Sequence, residues 1–144
     1  MMRPIRVLGF SSLMVMSCSS WAADNSCLEY EPSLVTLVGR ISSHLEYGPP
    51  GYGEDPAHDE HEVYWYLDLD KPICTLGKNE VSPEMEGEQN VQRLQIVYMR
   101  DYPAGGRIAW VGRRVTIIGT LFHGITGHHH TRVLITANET VKLP

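Results

Sequence analysis

Four histidines lie close together near the end of the chain, in the segment T-L-F-H-G-I-T-G-H-H-H-T at residues 120–131. Neutral imidazole nitrogens are ligands for zinc and copper, and three of them on one surface can hold such an ion with one coordination position left open. The chemistry available to this segment therefore depends on which of its histidines face the same way.

The residues around the histidines predict a β-hairpin whose turn is at 124–127, because glycines at both ends of the turn adopt positive φ readily. In that register His123 pairs with His128. Side chains alternate along a strand, so His123, His128 and His130 share one face while His129 points to the other. Opposed Cβ atoms lie about 5 Å apart, which suits three ligands of one metal ion. A shift of one residue would move the whole set to the other face.

A structural interpretation of the same histidines is favoured over metal binding. Imidazoles near a turn can hydrogen-bond backbone carbonyls, cover the open end of a barrel or contact a partner, and Thr126 and Thr131 could complete such a polar network. The chain has no nucleophile motif and no carboxylate pair placed to use the imidazoles. We therefore expect a binding protein rather than an enzyme, with no cofactor unless the histidines bind zinc or copper.

Two further groups have open interpretations. His58 and His61 stand among acidic residues and belong either to a solvated loop or to a weak metal-capture site. The aromatic residues of the strands are either core residues or stacking platforms for bases or sugars; they are Tyr64, Trp65, Tyr66, Tyr98, Tyr102 and Trp110. The net charge of −5 argues against nucleic acid, because phosphate binding needs a basic surface.

The N-terminus has the pattern of a secretory signal peptide. Basic residues precede a short apolar stretch at residues 7–16, and small residues lead to a cleavage site after Ala22. The stretch is shorter than the roughly 20 residues that span a bilayer. We expect residues 1–22 to be removed and residues 23–144 to form a single β-barrel domain in the periplasm or outside the cell.

The three cysteines bear on the same expectation. Cys18 ends a V-M-S-C segment that resembles a bacterial lipobox, so the alternative to cleavage after Ala22 is lipidation at Cys18, and only then would the protein be held on a membrane. Cys27 and Cys74 remain after cleavage, in a compartment where disulfides persist. We expect them to form a disulfide bond.

The elements that must position these residues are strands. Runs rich in β-branched and aromatic residues predict five of them, and no helical period stands out. The five segments are 34–41, 63–70, 91–99, 114–122 and 131–136, the last with an optional continuation over 141–143. Five strands with a long connection between the third and fourth favour an all-β, OB-like barrel over a β-sandwich. The pattern V-T-[LI]-[VI]-G, at Val35 and again at Val115, favours pairing of the first strand with the fourth.

These segments resemble a family of small secreted bacterial proteins of unknown function. The segments that carry the resemblance are C-L-E-Y-E-P from Cys27, V-T-L-V-G from Val35, L-D-K-P-I-C ending at Cys74, and the T-G-H-H-H-T motif. The resemblance implies a bacterial exported domain whose two cysteines and histidine hairpin belong to the family pattern. We expect a binding or interaction module of the cell envelope, such as an inhibitor or immunity-type protein that binds a protein or a small ligand, with a zinc- or copper-binding protein as the alternative.

Overall fold

The computed structural model describes residues 26–77, 86–99 and 107–144. The expected signal peptide, the cleavage site after Ala22 and the lipidation of Cys18 lie outside these residues, as does Tyr102. Among the described residues, no helix is long and apolar enough to cross a membrane.

Five strands and one short 3-10 helix make up the described fold. In chain order they are β1 (Leu34–Tyr47), β2 (His61–Ile73), β3 (Val91–Met99), the 3-10 helix (Arg107–Trp110), β4 (Arg114–His123) and β5 (Val133–Lys142). The five predicted strands are confirmed. β1 continues six residues further than the sequence indicated, and the two segments expected at the C-terminus form one strand.

The strands close into a barrel in the order β1-β2-β3-β5-β4. β1 pairs antiparallel with β2 and with β4, and β3 runs parallel to β5. The predicted OB-like barrel is therefore confirmed, and the sandwich alternative is excluded.

The core lies inside this barrel, because each strand presents alternate residues to it. The buried cluster is built mainly from β-branched and leucine side chains; its strand members are Val35, Leu37, Ile41, Leu67, Leu94, Ile96, Val115, Ile117, Leu121, Val133, Ile135 and Ala137. Trp65 packs against this cluster from the inside, whereas Tyr64 and Tyr66 have the opposite parity and lie on the outer face of β2. Trp65 thus has the core role that the sequence left open, and Tyr66 is only 2% exposed although it lies outside the core cluster.

The repeated V-T-x-x-G pattern marks the seam between β1 and β4. Val35 pairs with Gly119 and Gly39 pairs with Val115, so the two copies lie side by side in antiparallel register. A side chain at Gly39 would collide with the backbone carbonyl of Asp68, and one at Gly119 with that of Thr136. The expected pairing of the first and fourth strands is confirmed, and glycine is required where neighbouring strands approach this closely.

The predicted disulfide is also confirmed. Cys27 and Cys74 are joined, with an S–S distance of 2.00 Å. The lead segment before β1 runs beside the end of β2, where the backbone N–H of Leu28 donates to Cys74 and its carbonyl accepts from Leu76. The bond therefore fastens the N-terminal lead to the barrel.

Candidate functional site

The connection between β4 and β5 is longer than the sequence predicted. His123 pairs with Val133 rather than with His128, and residues 124–132 form a loop, the histidine loop, which Gly124 closes by donating its N–H to the carbonyl of Arg132 at 2.8 Å. The expected four-residue turn and the pairing of His123 with His128 are wrong. The consecutive histidines belong to a loop, so the strand alternation that was to set their directions does not apply to them.

His129 holds the histidine loop from within. Its Nδ1 atom accepts hydrogen bonds from the backbone N–H groups of Ile125, at 2.9 Å, and Thr126, at 3.3 Å. Because Nδ1 acts as an acceptor, the neutral ring carries its proton on Nε2. Burial lowers the pKa of His129 below its ordinary value, and the charges of His128 and His130 lower it further. The neutral ring is thus the form that this loop conformation requires.

Gln95 fastens the histidine loop to the barrel. This side chain on β3 is only 4% exposed. Its Nε2 atom donates to the carbonyl of His128 at 2.7 Å, and its Oε1 atom accepts from the N–H of His130 at 2.6 Å. The backbone N–H of Gln95 also donates to Thr131 Oγ1 at 3.0 Å. The loop therefore lies along the outer face of β3, where a single buried amide satisfies the carbonyl of His128 and the N–H of His130.

A second loop, residues 48–60 between β1 and β2, is organised around a carboxylate. Asp59 is buried and accepts N–H groups from Gly51 at 2.7 Å, Gly53 at 2.6 Å and Asp55 at 3.3 Å. Burial alone would raise the pKa of Asp59, but these hydrogen bonds outweigh it and hold the pKa below the ordinary value of an aspartate. Of the two histidines in the acidic segment, His58 belongs to this loop, exposed and with its Nδ1 atom 2.7 Å from Asp55 Oδ2, whereas His61 begins β2.

The two loops meet at Tyr52 and His128. The Tyr52 hydroxyl lies 2.6 Å from His128 Nε2, and the two rings make an edge contact with centroids 4.6 Å apart. Gly127 lies directly against the Tyr52 ring, where any side chain would collide with it. The glycine of the T-G-H-H-H-T motif is therefore needed for a contact between loops rather than for a tight turn.

A directed chain of hydrogen bonds runs from this contact onto β2. The Tyr64 hydroxyl donates to Glu62 Oε2 at 2.7 Å, so its oxygen is free to accept from His128 Nδ1, 3.3 Å away. His128 then accepts the Tyr52 proton at Nε2. Burial and the neighbouring Glu62 carboxylate raise the pKa of Tyr64, which therefore stays a neutral donor. The order Tyr52, His128, Tyr64, Glu62 gives both loops a fixed position over β2.

Beside this chain is an open groove of about 440 Å³. It lies between the first part of β2 and the middle of β3, under the histidine loop; its lining residues are Glu62, Val63, Tyr64, Trp65, Gln95, Ile96, Val97, His128 and His129. We call this groove, with the two loops that border it, the loop face. The groove combines one carboxylate, aromatic rings and apolar side chains, a composition typical of a ligand-binding cleft.

Of the three predicted metal ligands, His128 and His130 both contact Tyr64, whereas His123 lies against Gly124 and Glu88. His123 faces the carbonyl of Gly124 through Nδ1, at 2.9 Å, and Glu88 through Nε2, at 3.3 Å. His128 lies between two tyrosine hydroxyls, and the His130 ring stacks edge-on against Tyr64, with centroids 4.3 Å apart. Across residues 26–77, 86–99 and 107–144, no group of three or more His, Cys, Asp or Glu side chains is arranged to hold a metal ion.

Sequence reasoning missed Tyr52 and Gln95, the residues that fix the histidine loop from outside. Tyr52 stands in a glycine-rich loop more than 70 residues from its partner, and Gln95 is one polar residue within a strand. The alternation of side chains along β3 could have placed Gln95. It lies between the buried Leu94 and Ile96 and must therefore be on the outer face of the strand.

Fold and loop face together define a small OB-like barrel with a fixed groove between two loops on its outer surface. Residues 93–141 match the family model described as a domain of unknown function, DUF4431. The match covers most of β3, the whole of β4, the histidine loop and most of β5, and it supports the resemblance to a family of unknown function. Neither the curated proteins nor the solved structures contain a match to this chain.

Proposed function

We propose that this protein is an exported binding module that recognises a partner in the cell envelope through the loop face. The observation that carries the proposal is the contact between Tyr52 and His128, which joins two loops from distant parts of the chain above a groove. The loop 48–60 is also held internally by Asp59. The histidine loop is held internally by His129 and is fastened to β3 by Gln95. A surface fixed before binding loses less conformational entropy when a partner arrives.

Export and the class of partner are supported by different features. The signal-peptide pattern of residues 1–22 and the Cys27–Cys74 disulfide both suit the periplasm or the cell exterior. The small barrel, without a nucleophile motif, suits an inhibitor or immunity-type protein that acts by binding. If Cys18 is lipidated instead, the same module is held on the membrane.

Affinity capture from envelope extract tests the binding role. The exported protein should recover a stoichiometric partner that is lost with Tyr64→Ala and retained with Val141→Ser, a matched exposed change on β5 outside the loop face. Equal recovery by both variants would rule out the loop face as the binding surface. Fractionation of cells that express the chain with and without residues 1–22 tests export, and Cys18→Ala tests the lipidated form.

The alternative function remains a zinc or copper site on His123, His128 and His130. It requires the histidine loop to leave Gln95 and Tyr52, so that the three imidazoles can converge. Calorimetric titration with Zn(II) and Cu(II), beside a His128→Ala/His130→Ala variant, separates the two functions. Binding tighter than about 10 μM that the double variant loses would support the metal site.

A further inference from the structure

The groove of the loop face lies where β2 and β3 part. The two strands pair from Asp68–Arg93 to Tyr66–Gln95. Beyond Gln95, β3 is paired with β5 alone. In the described part of the chain, residues 61–65 of β2 are therefore paired on the β1 side alone. Alternate backbone N–H and C=O groups along this stretch point toward the groove, where an extended chain could pair with them.

Apolar side chains line the same opening. Val63 is 54% exposed and Val97, on the facing strand, is 43% exposed. Leu45, directly opposite Val63 on β1, is 63% exposed. Large apolar side chains that are exposed side by side next to a groove are typical of an interaction surface.

The formal charges of the strand hairpin beside the groove have one sign. The hairpin arm, residues 44–64, consists of the end of β1, the loop 48–60 and the start of β2. It has six acidic residues and no lysine or arginine; they are Glu46, Glu54, Asp55, Asp59, Glu60 and Glu62. In the described residues none of the six forms an ion pair with a lysine or arginine. Glu46 and Glu62 even lie directly opposite each other, an arrangement that like charges disfavour.

We infer that the groove binds an extended, basic and apolar segment of a partner protein, added as a strand beside residues 61–65 of β2. The apolar side chains of the segment contact Val63 and Val97, and its lysine or arginine side chains reach Glu62 and Glu46. This inference rests on the proposed function and names the chemistry of the partner. A cationic segment relieves the repulsion between the two opposed carboxylates, and its backbone satisfies the edge of β2.

The test uses peptides as probes of the exported, ¹⁵N-labelled protein. A capped nonapeptide of alternating lysine and valine should shift the amide resonances of residues 61–65 and 96–97, with a dissociation constant on the order of 100 μM. A lysine–serine peptide has the same charge without the apolar side chains. A lysine–valine peptide methylated on alternate backbone nitrogens keeps the side chains and loses the donors. Both should bind at least fivefold more weakly.

Protein variants assign the contacts. Glu46→Gln/Glu62→Gln should weaken binding of the lysine–valine peptide about tenfold, because each half-buried carboxylate contributes roughly threefold. Glu139→Gln on β5 should leave the binding unchanged. Val63→Ser should weaken it, and its matched control Val141→Ser should not. Circular dichroism of each variant confirms that the barrel is intact.

Each other outcome overturns the inference. Equal binding of the lysine–serine peptide would reduce it to general attraction between charges, and equal binding of the methylated peptide would exclude strand addition. Resonance shifts outside the groove, or no shifts up to 1 mM peptide, would refute the site. A concentration-dependent dimer that Val63→Ser abolishes would also refute it, because the groove would then hold a second copy of the protein. If the peptides fail while Tyr64→Ala still abolishes partner capture, the proposed function stands and only the chemistry of the partner is wrong.

Discussion

The carboxylates on the outer surface of the barrel body have different partners from those of the hairpin arm. The barrel body comprises β3, β4 and β5 with residues 34–43 of β1 and 65–73 of β2. There Asp68 forms an ion pair with Arg93 and Asp70 with Arg114, each at 2.5 Å. In the hairpin arm two of the six carboxylates accept hydrogen bonds from tyrosine hydroxyls instead. Tyr64 donates to Glu62, and Tyr66 donates to Glu46 at 3.0 Å.

The buried core lies outside the hairpin arm, since none of the described members of the core cluster belongs to residues 44–64. Leu121 in the barrel body is fully buried, whereas Leu45 in the hairpin arm is mostly exposed. The barrel body thus has the features that stabilise a fold, and the hairpin arm keeps exposed apolar groups and unneutralised charge that a stable fold does not need. The difference supports the proposal that the barrel body provides stability and that the hairpin arm contributes to recognition.

Removal of the disulfide should have the largest effect on the barrel body. Cys27→Ser/Cys74→Ser releases a link across 47 positions in sequence, and the loss of its restraint on the unfolded chain costs about 4 kcal/mol. Chemical unfolding followed by circular dichroism measures this change. A loss below about 1 kcal/mol would show that the lead segment contributes little to the stability of the barrel body.

A matched pair of leucine substitutions tests the comparison directly. Leu121→Ala leaves a cavity in a closed core and should lower the free energy of unfolding by about 3 kcal/mol. Leu45→Ala removes an exposed side chain and should change it by less than about 0.5 kcal/mol. Urea unfolding of both variants gives the two values. Similar losses would mean that the hairpin arm contributes to the core and would remove the distinction drawn here.

The attachment of the histidine loop to β3 should be intermediate in effect, because this loop also contacts the hairpin arm through His128. Gln95→Ala leaves the carbonyl of His128 and the N–H of His130 without their partner and should cost about 2 kcal/mol. The amide resonances of the histidine loop should broaden or shift while those of β4 stay unchanged. If the loop resonances are unaffected, Tyr52 alone is enough to hold the loop in place.

The barrel could be predicted from the sequence because its signals are local. β-branched runs marked the strands, the repeated V-T-x-x-G pattern marked the seam between β1 and β4, and two cysteines remained for one disulfide. The strands and their seam are determined by the residues of their own segments. The disulfide follows from the number of cysteines, which is independent of geometry.

The loop face could not be predicted because its contacts are distant in sequence. Two glycines suggested a tight turn, yet Gly127 makes room for the ring of Tyr52, and Gly124 lies where a Cβ atom would be 2.6 Å from the carbonyl oxygen of Thr131. The histidines were interpreted as strand residues, whereas Gln95 and Tyr52 hold them in a loop. Nothing within the twelve residues 120–131 indicates either partner.

Acidification should affect the hairpin arm through Asp59, with the smallest effect on global stability. The folded-state pKa of Asp59 lies below its unfolded value, so its contribution is complete above the ordinary pKa of an aspartate and is lost as the pH falls through the lowered folded pKa. The amides of Gly51 and Gly53, which donate to this carboxylate, should keep their resonances at neutral pH and shift in that acidic range. Asp59→Asn should produce the same shifts at neutral pH and leave the unfolding of the barrel body nearly unchanged. If Asp59→Asn instead unfolds the whole protein, the loop 48–60 is part of the stable body, and the hairpin arm is not the separate recognition element proposed here.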